Sequence, residues 1–286
     1  MKTLFHYCSS SSFASIVSQK SIWLSSLSLA NDTMEGRLIA QTFERLFAQS
    51  RIGAEEIEQI RNAIKSTGEI CDGLGFCLSE EPGLLSQWRG YADNAQGFSI
   101  GFSEEYLREL EKIKVENESG FRLHRVLYKQ DEHDKALKPT YDGIKALVDS
   151  GRLKRPRFGG LLDASTEEEK KERHDKYMAA LQELWLKMFS TVSSAFLLKG
   201  AAFAEEAEWR LVSLHFKNVS DSVSYRAVEN RLIPYRKISL RLMDIKSITE
   251  VYVGPKNITP INVVEEFLAQ NGFADVAVRR SVATYR

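Results

Sequence analysis

Apolar residues fall in short strand-like runs at both ends of the chain and at helical spacing through its middle, which predicts a sheet interrupted by helices. Residues 4–7 read as a strand. Ser9 to Ser12 offer N-cap candidates for a helix whose Phe13, Ile16 and Val17 share one face, and residues 22–29 return as a strand. Residues 36–67 read as a helical pair, with Leu38, Ile39, Phe43, Leu46 and Phe47 before a break near Gly53 and Ile57, Ile60 and Ile64 after it. Strands follow at 70–79 and 97–102, joined by a loop or short helix rich in Trp88, Tyr91, Asp93 and Asn94. Residues 122–130 read as a further strand. The segment 135–200 is charged and helical, with a loop at 152–160 and a long helix from Thr166 onward. Strands then recur at 208–216, 236–242, 248–254 and 276–279, with a helix at 260–271. The expectation is a single α+β domain over 1–286, with a mainly helical insertion at 135–200.

Composition narrows the function classes. Of the 286 residues, 43% are hydrophobic, enough for a substantial core. Lys plus Arg and Asp plus Glu both total 39, so no global field draws the chain to nucleic acid or acidic lipid, and a nucleic-acid partner would need a local patch. RLKRPR at 152–157 is the dense basic run; it reads either as a solvated loop or as a contact for the phosphate of a nucleotide or RNA. The polar Ser9 to Ser12 interrupt any signal-peptide core, and no stretch approaches the ~18 apolar residues of a membrane span. Cys8, Cys71 and Cys77 are odd in number and lack metal-type spacing, so reduced thiols and a cytoplasmic location are expected, with no membrane partner.

Candidate chemistry sits in two stretches. His6 lies on the first strand and is open to two readings: a ligand-contacting or general-base imidazole, or a structural histidine. His124, His133, His174 and His215 are scattered and no HExxH pattern exists, so no metal is expected. In FAEEAEWRLV, strand alternation places Trp209 and Leu211 on one face and Glu206, Glu208 and Arg210 on the other. That second face is either a solvated ladder or a pair of carboxylates projecting into a cleft beside an arginine that keeps them ionised. Trp88 and Tyr91 offer aromatic faces for a flat heterocycle or for packing.

The residues Phe5-His6-Tyr7, Ile16, Trp23-Leu24-Ser25-Ser26, Asn31-Asp32 and Glu35-Gly36 resemble the opening of a widespread bacterial family of unknown function, domain of unknown function family 2971. The resemblance continues through Cys77-Leu78-Ser79, Trp88, Tyr91-Ala92, Gly97-Phe98, Gly101-Phe102, Glu208-Trp209-Arg210 and Gly254-Pro255-Lys256 to Ser281 and Tyr285-Arg286. Cys8 and Thr33 depart from that pattern, where threonine and proline are common.

In order and residue type the layout also resembles the ADP-ribosyltransferase fold. That resemblance implies a split mixed or antiparallel sheet with a helical insertion, and NAD as co-substrate. It assigns His6 to an adenosine ribose hydroxyl, Tyr7 or Tyr91 to nicotinamide, Glu208 to the nicotinamide ribose, and Ser25 to support of the glutamate or the amide. Ser26, Asn31 and Arg210 complete the implied cofactor contacts, with Glu206 orienting or activating an acceptor. The implied activity is ADP-ribosyl transfer to a protein, RNA or DNA, in a bacterial toxin or anti-phage effector that an antitoxin or regulatory partner could restrain. An NAD glycohydrolase and a non-catalytic nucleotide-sensing module are the alternatives.

Overall fold

The computed structural model describes residues 2–29, 35–48, 50, 52–113, 120–156, 166–217, 223–228, 230–241 and 243–283. β1 (Thr3–Cys8) leads through α1 (Ser10–Gln19) to β2 (Ser21–Ser26). The helix starts where Ser9 Oγ accepts the Ser12 N–H at 3.2 Å, and it ends where Lys20 turns left-handed and donates its N–H to the carbonyls of Ile16 and Val17. After α2 (Glu35–Phe47) and α3 (Ala54–Ile70) come β3 (Cys71–Ser79), α4 (Leu85–Tyr91), β4 (Phe98–Ser103) and α5 (Glu104–Lys112). β5 (Arg122–Arg125) precedes α6 (Gln130–Asp149), α7 (Glu167–Phe189) and the short α8 (Val192–Ala195). A 3₁₀ turn (Ala201–Glu206) enters β6 (Glu208–Phe216). The hairpin β7 (Ser224–Val228) and β8 (Arg231–Ser239) is followed by β9 (Ile248–Val253), α9 (Ile261–Gln270) and β10 (Ala277–Arg280).

Among the described residues the strands form one mixed sheet, in the order β10-β9-β4-β1-β3-β2-β8-β7, with β6 on the other edge of β3 and β5 on β6. β9 and β10 pair in parallel and the other strand pairs are antiparallel. The sheet is held together unevenly. β3 pairs with β6 along its whole length, yet its opposite edge meets β2 only at Leu74 and Gly75 and β1 only at Ser79, opposite Phe5. Between those points, at residues 76–78, the strands fork.

One face of the sheet carries α1, α5 and α9, whose Phe13, Ile16, Val17, Tyr106, Leu107, Leu110, Val264 and Leu268 pack on Leu4, Ile22, Leu74, Phe76 and Ile100. Each fully buried side chain of this size contributes roughly 1.5–3 kcal/mol. The other face carries α4 over β1, through Trp88 against Phe5 and Tyr7. Beside it stands a helical layer in which Ile39 and Phe43 of α2, Ile60 of α3, Leu137 and Ile144 of α6 and Leu184 and Met188 of α7 share a core. A seam of Leu27, Val192, Phe196, Leu197 and Val212 joins that layer to β3 and β6. Gly73 is required here, because a Cβ on it would stand 2.5 Å from the Phe196 ring.

Three expectations change. The helical layer is not a single insertion at 135–200, since α2 and α3, inserted between β2 and β3, share its core. The strand expected over 122–130 stops at Arg125, after which Leu127 makes one parallel bridge to Leu198 and α6 begins. Residues 104–112 and 224–228 form α5 and β7, which the hydrophobic pattern did not indicate.

Candidate functional site

The 3₁₀ turn and the start of β6 bring four charged side chains together below the surface. Lys199 Nζ donates to Glu206 Oε2 at 2.6 Å and to Glu208 Oε2 at 2.9 Å. Arg210 grips Glu208 with both arms, Nε to Oε1 at 2.7 Å and Nη2 to Oε2 at 3.1 Å, while its Nη1 donates to the Phe196 carbonyl at 2.7 Å. All four residues are buried, at 3% exposure for Lys199 and Arg210, 5% for Glu208 and 8% for Glu206. Among the described residues, two carboxylates balance two cations in the cluster.

Glu206 does not sit on the strand. Ala207 adopts a left-handed conformation with φ 42°, which ends the 3₁₀ turn and breaks the alternation expected through FAEEAEWRLV. Both glutamates nevertheless reach one ammonium group. The Ser79 hydroxyl fixes the turn by donating to the Glu206 carbonyl at 2.7 Å, and the Glu208 N–H donates to the Tyr128 hydroxyl at 2.8 Å. The expected second face is thus a buried site rather than a solvated ladder. Trp209, on the other face, donates its indole N–H to Glu80 at 2.7 Å.

The environments of the two glutamates diverge. Burial alone would raise Glu208, but Arg210 and Lys199 outweigh it and hold the carboxyl at about 2, fully ionised. Glu206 is raised, because burial and the Glu208 charge exceed the pull of Lys199. Cys77, paired in register with Arg210, has its thiol pushed up by burial and then by Glu208. Tyr91, 48% exposed at the end of α4, faces this group electrostatically; partial burial lifts its hydroxyl to about 12, with Lys199, Glu206 and Glu208 also acting on it.

His6 stands in the fork. Its Nδ1–H donates to the Cys77 carbonyl at 2.8 Å, and its ring stacks on Phe76 with centroids 4.0 Å apart. That bond leaves Nε2 as the unprotonated acceptor of a neutral ring. Burial, against the Cys77 carbonyl and assisted by Arg226, lowers the imidazole to about 4. Phe5, Ser79 and Glu208 pair across the sheet and share a face, so His6, one residue on, projects to the opposite one. The shared cleft that the resemblance implies for His6 and Glu208 is therefore corrected: the two side chains project from opposite faces of the sheet.

The other expected contacts divide. Tyr7 is a latch for α4, donating to the Glu81 carbonyl at 2.6 Å and accepting the Leu84 N–H at 2.9 Å, with 4% exposure and no open ring face for nicotinamide. Ser26 is buried on Asp72 at 2.6 Å and caps the following turn through the Leu29 N–H. Ser25 meets Arg226 of β7, whose Nη2 donates to its hydroxyl at 3.1 Å. Arg210 is committed to Glu208 and Phe196. Asn31 lies outside the described residues. In the basic run, Arg152 pairs with Glu183 at 2.7 Å and Leu153 is buried in the helical core. Among the described residues no group of three or more His, Cys, Asp or Glu side chains is placed to hold a metal, and no helix is long and apolar enough to cross a membrane.

Lys199, Tyr128, Ser79, Cys77 and Arg226 were not singled out as site residues. Lys199 carried a usable signal, a lone lysine closing the apolar run 195–198. Residues 87–211 match the family model described as a protein of unknown function, DUF2971. Over that span the chain is similar to DUF2971. The DUF2971 span contains Tyr91, Tyr128, Lys199, Glu206, Glu208 and Arg210, every member of the cluster except the β3 residues, while His6, Ser25 and Arg226 lie outside it. No curated protein and no solved structure matches the chain.

Proposed function

We propose that this protein binds NAD at the fork and catalyses ADP-ribosyl transfer to a macromolecule, with Glu208 as the catalytic carboxylate. The observation that carries the reading is the pair of neighbouring glutamates with opposite shifts, one held ionised near 2 and one raised, beside an open seam in the sheet. Divergent shifts in neighbouring carboxylates are the pattern of an acid/base pair, and a structural ion-pair network also produces them. The fork in the sheet supports the reading, since a split sheet is what the ADP-ribosyltransferase resemblance implies.

The residues fit such a ligand on two counts. His6 Nε2 is an acceptor in a neutral ring, suited to a ribose hydroxyl, and Tyr91 offers an exposed aromatic face next to the glutamates. NAD supplies an N-glycosidic bond whose cleavage builds positive charge on the ribose. Glu208 offers a fixed, ionised carboxylate in a site shielded from water; preorganised groups of this kind contribute roughly 3–4 kcal/mol to a barrier. Glu206, with its raised affinity for protons, is placed to accept one from an acceptor nucleophile. Lys199 and Arg210 hold both carboxylates in position. A bacterial toxin or anti-phage effector acting in the cytoplasm, restrained by a partner protein, is the biological setting that goes with this activity.

One observation favours a second reading. Glu208 already has two cationic partners, so its charge is locally balanced, as in a non-catalytic module that senses a nucleotide. Incubation with adenine-labelled NAD and separate pools of protein, RNA and DNA tests both. Label on a polymer identifies the transferase and its acceptor class. Nicotinamide release without label transfer identifies a glycohydrolase, binding without release identifies the sensing module, and no binding contradicts the proposal.

A further inference from the structure

Arg226 occupies an unusual position on β7. It is half-buried, and burial lowers its pKa despite Tyr235 nearby. Its Nε is buried with no hydrogen-bond partner, its Nη2 has only the neutral Ser25 hydroxyl, and among the described residues no Asp or Glu pairs with it. Its guanidinium lies 6.0 Å over the Trp23 ring, which in turn stacks on Tyr235 with centroids 4.3 Å apart. The neighbours on β2 and β8 thus contribute a hydroxyl and aromatic surface but no negative charge.

A half-buried guanidinium whose Nε is shielded from water, with no counter-charge among the described residues, is costly, and a natural resolution is an anion supplied from outside. The location narrows the anion. Ser25 pairs with Gly75 at the point where β2 joins β3, which is one end of the fork, and Arg226 acts electrostatically on His6 within it. Glu208 pairs with Ser79 at the other end. Four residue steps along β3, from Gly75 to Ser79, separate those ends, about 13 Å of strand.

We propose that Arg226 and Ser25 form an anion seat at the β2 end of the fork that takes a phosphate group of a nucleotide, with the guanidinium fork and the Ser25 hydroxyl as its donors. Arg presents parallel N–H groups to phosphate oxygens, and the unsatisfied Nε is one of them. The assignment to a nucleotide rests on the proposed NAD reading; the seat for phosphate rests on Arg226 itself.

Calorimetric titration of wild type, Arg226→Met and Arg226→Lys with ADP-ribose, inorganic pyrophosphate and phosphate-free nicotinamide riboside tests the seat. Loss of charge-assisted bonds should weaken ADP-ribose and pyrophosphate about 10- to 100-fold in Arg226→Met, less in Arg226→Lys, and leave nicotinamide riboside unchanged. Without ligand, Arg226→Met should melt no lower than wild type, since it removes a half-buried charge with no counter-charge among the described residues. Equal binding of pyrophosphate by wild type and Arg226→Met overturns the proposal, as does a wild type that binds neither phosphate ligand, or a ligand-free variant that melts several degrees lower. ADP-ribose binding more tightly than pyrophosphate assigns the seat to a nucleotide; the reverse order assigns it to free phosphate and overturns the nucleotide half. If pyrophosphate binds through Arg226 but NAD is neither bound nor cleaved, the seat stands and the ADP-ribosyl reading fails. If NAD is cleaved and Arg226→Met leaves its KM unchanged, the seat fails and that reading stands.

Discussion

The Glu208 cluster and the fork are polar regions on opposite edges of β3, but they are satisfied in opposite ways. In the cluster, Lys199 and Arg210 answer Glu206 and Glu208 charge for charge, and Tyr128 and Ser79 fix the adjoining backbone. In the fork, His6 uses one ring nitrogen and Arg226 leaves its Nε without a bond. A self-satisfied network holds its geometry whether or not ligand is present, whereas an unsatisfied one is completed by something else. The cluster thus suits fixed electrostatics and the fork suits recognition.

The largest effect expected comes from removing the shared cation. Lys199→Met leaves two buried carboxylates facing each other, and breaking a buried pair in this way costs about 3–5 kcal/mol. Urea unfolding should show that loss, with part of it restored when Glu206→Gln is added, because the second change removes the charge left without a partner. Equal stability of Lys199→Met and wild type would mean that the cluster is not the balanced network described.

Next in size is a pH effect from the fork. His6 titrates near 4 in the folded protein against 6.5 for a free histidine. As pH falls through 6.5 the unfolded chain binds a proton that the folded chain refuses, so this contribution is complete above 6.5 and is lost progressively down to about 4. The shift corresponds to about 3 kcal/mol. His6→Asn keeps a donor toward the Cys77 carbonyl but cannot titrate, so its stability between pH 6.5 and 4 should fall less steeply than that of wild type. Identical slopes in the two proteins would place His6 in solvent.

The smallest effect lies at Ala207. A non-glycine residue at φ 42° carries a strain of roughly 1–2 kcal/mol, and glycine relieves it at some cost in chain entropy. Ala207→Gly should therefore be neutral or up to about 1 kcal/mol more stable by chemical denaturation. A clear loss would show that the Ala207 methyl contributes packing that outweighs its strain.

These residues also show what the sequence made legible. β6 was expected over 208–216 and is found there, because EWRLVSLHF places apolar residues at Trp209, Leu211, Val212, Leu214 and Phe216 and buries Leu211. The sharing of Lys199 by Glu206 and Glu208 was not visible, since it depends on a left-handed alanine that carries no glycine or asparagine signal. β7 was missed for a related reason: SYRAV is a largely exposed edge strand with little apolar contrast, and Arg226 was hidden with it. The apolar flanks of His6 and Glu208 placed both on strands, but left open whether the Glu208 face is solvated or buried. Their relative faces were not readable, because those follow from a single register contact between Phe5 and Ser79.

The central claim is that the ionised Glu208 carboxylate promotes cleavage of the nicotinamide bond of NAD. Its most direct test is the initial rate of nicotinamide release by wild type and Glu208→Gln at neutral pH, with the variant's fold checked by circular dichroism. The account predicts measurable release by wild type and a fall of about 10²–10³ in the folded variant. Equal rates in the two proteins, or no release by wild type with any acceptor pool, would contradict it.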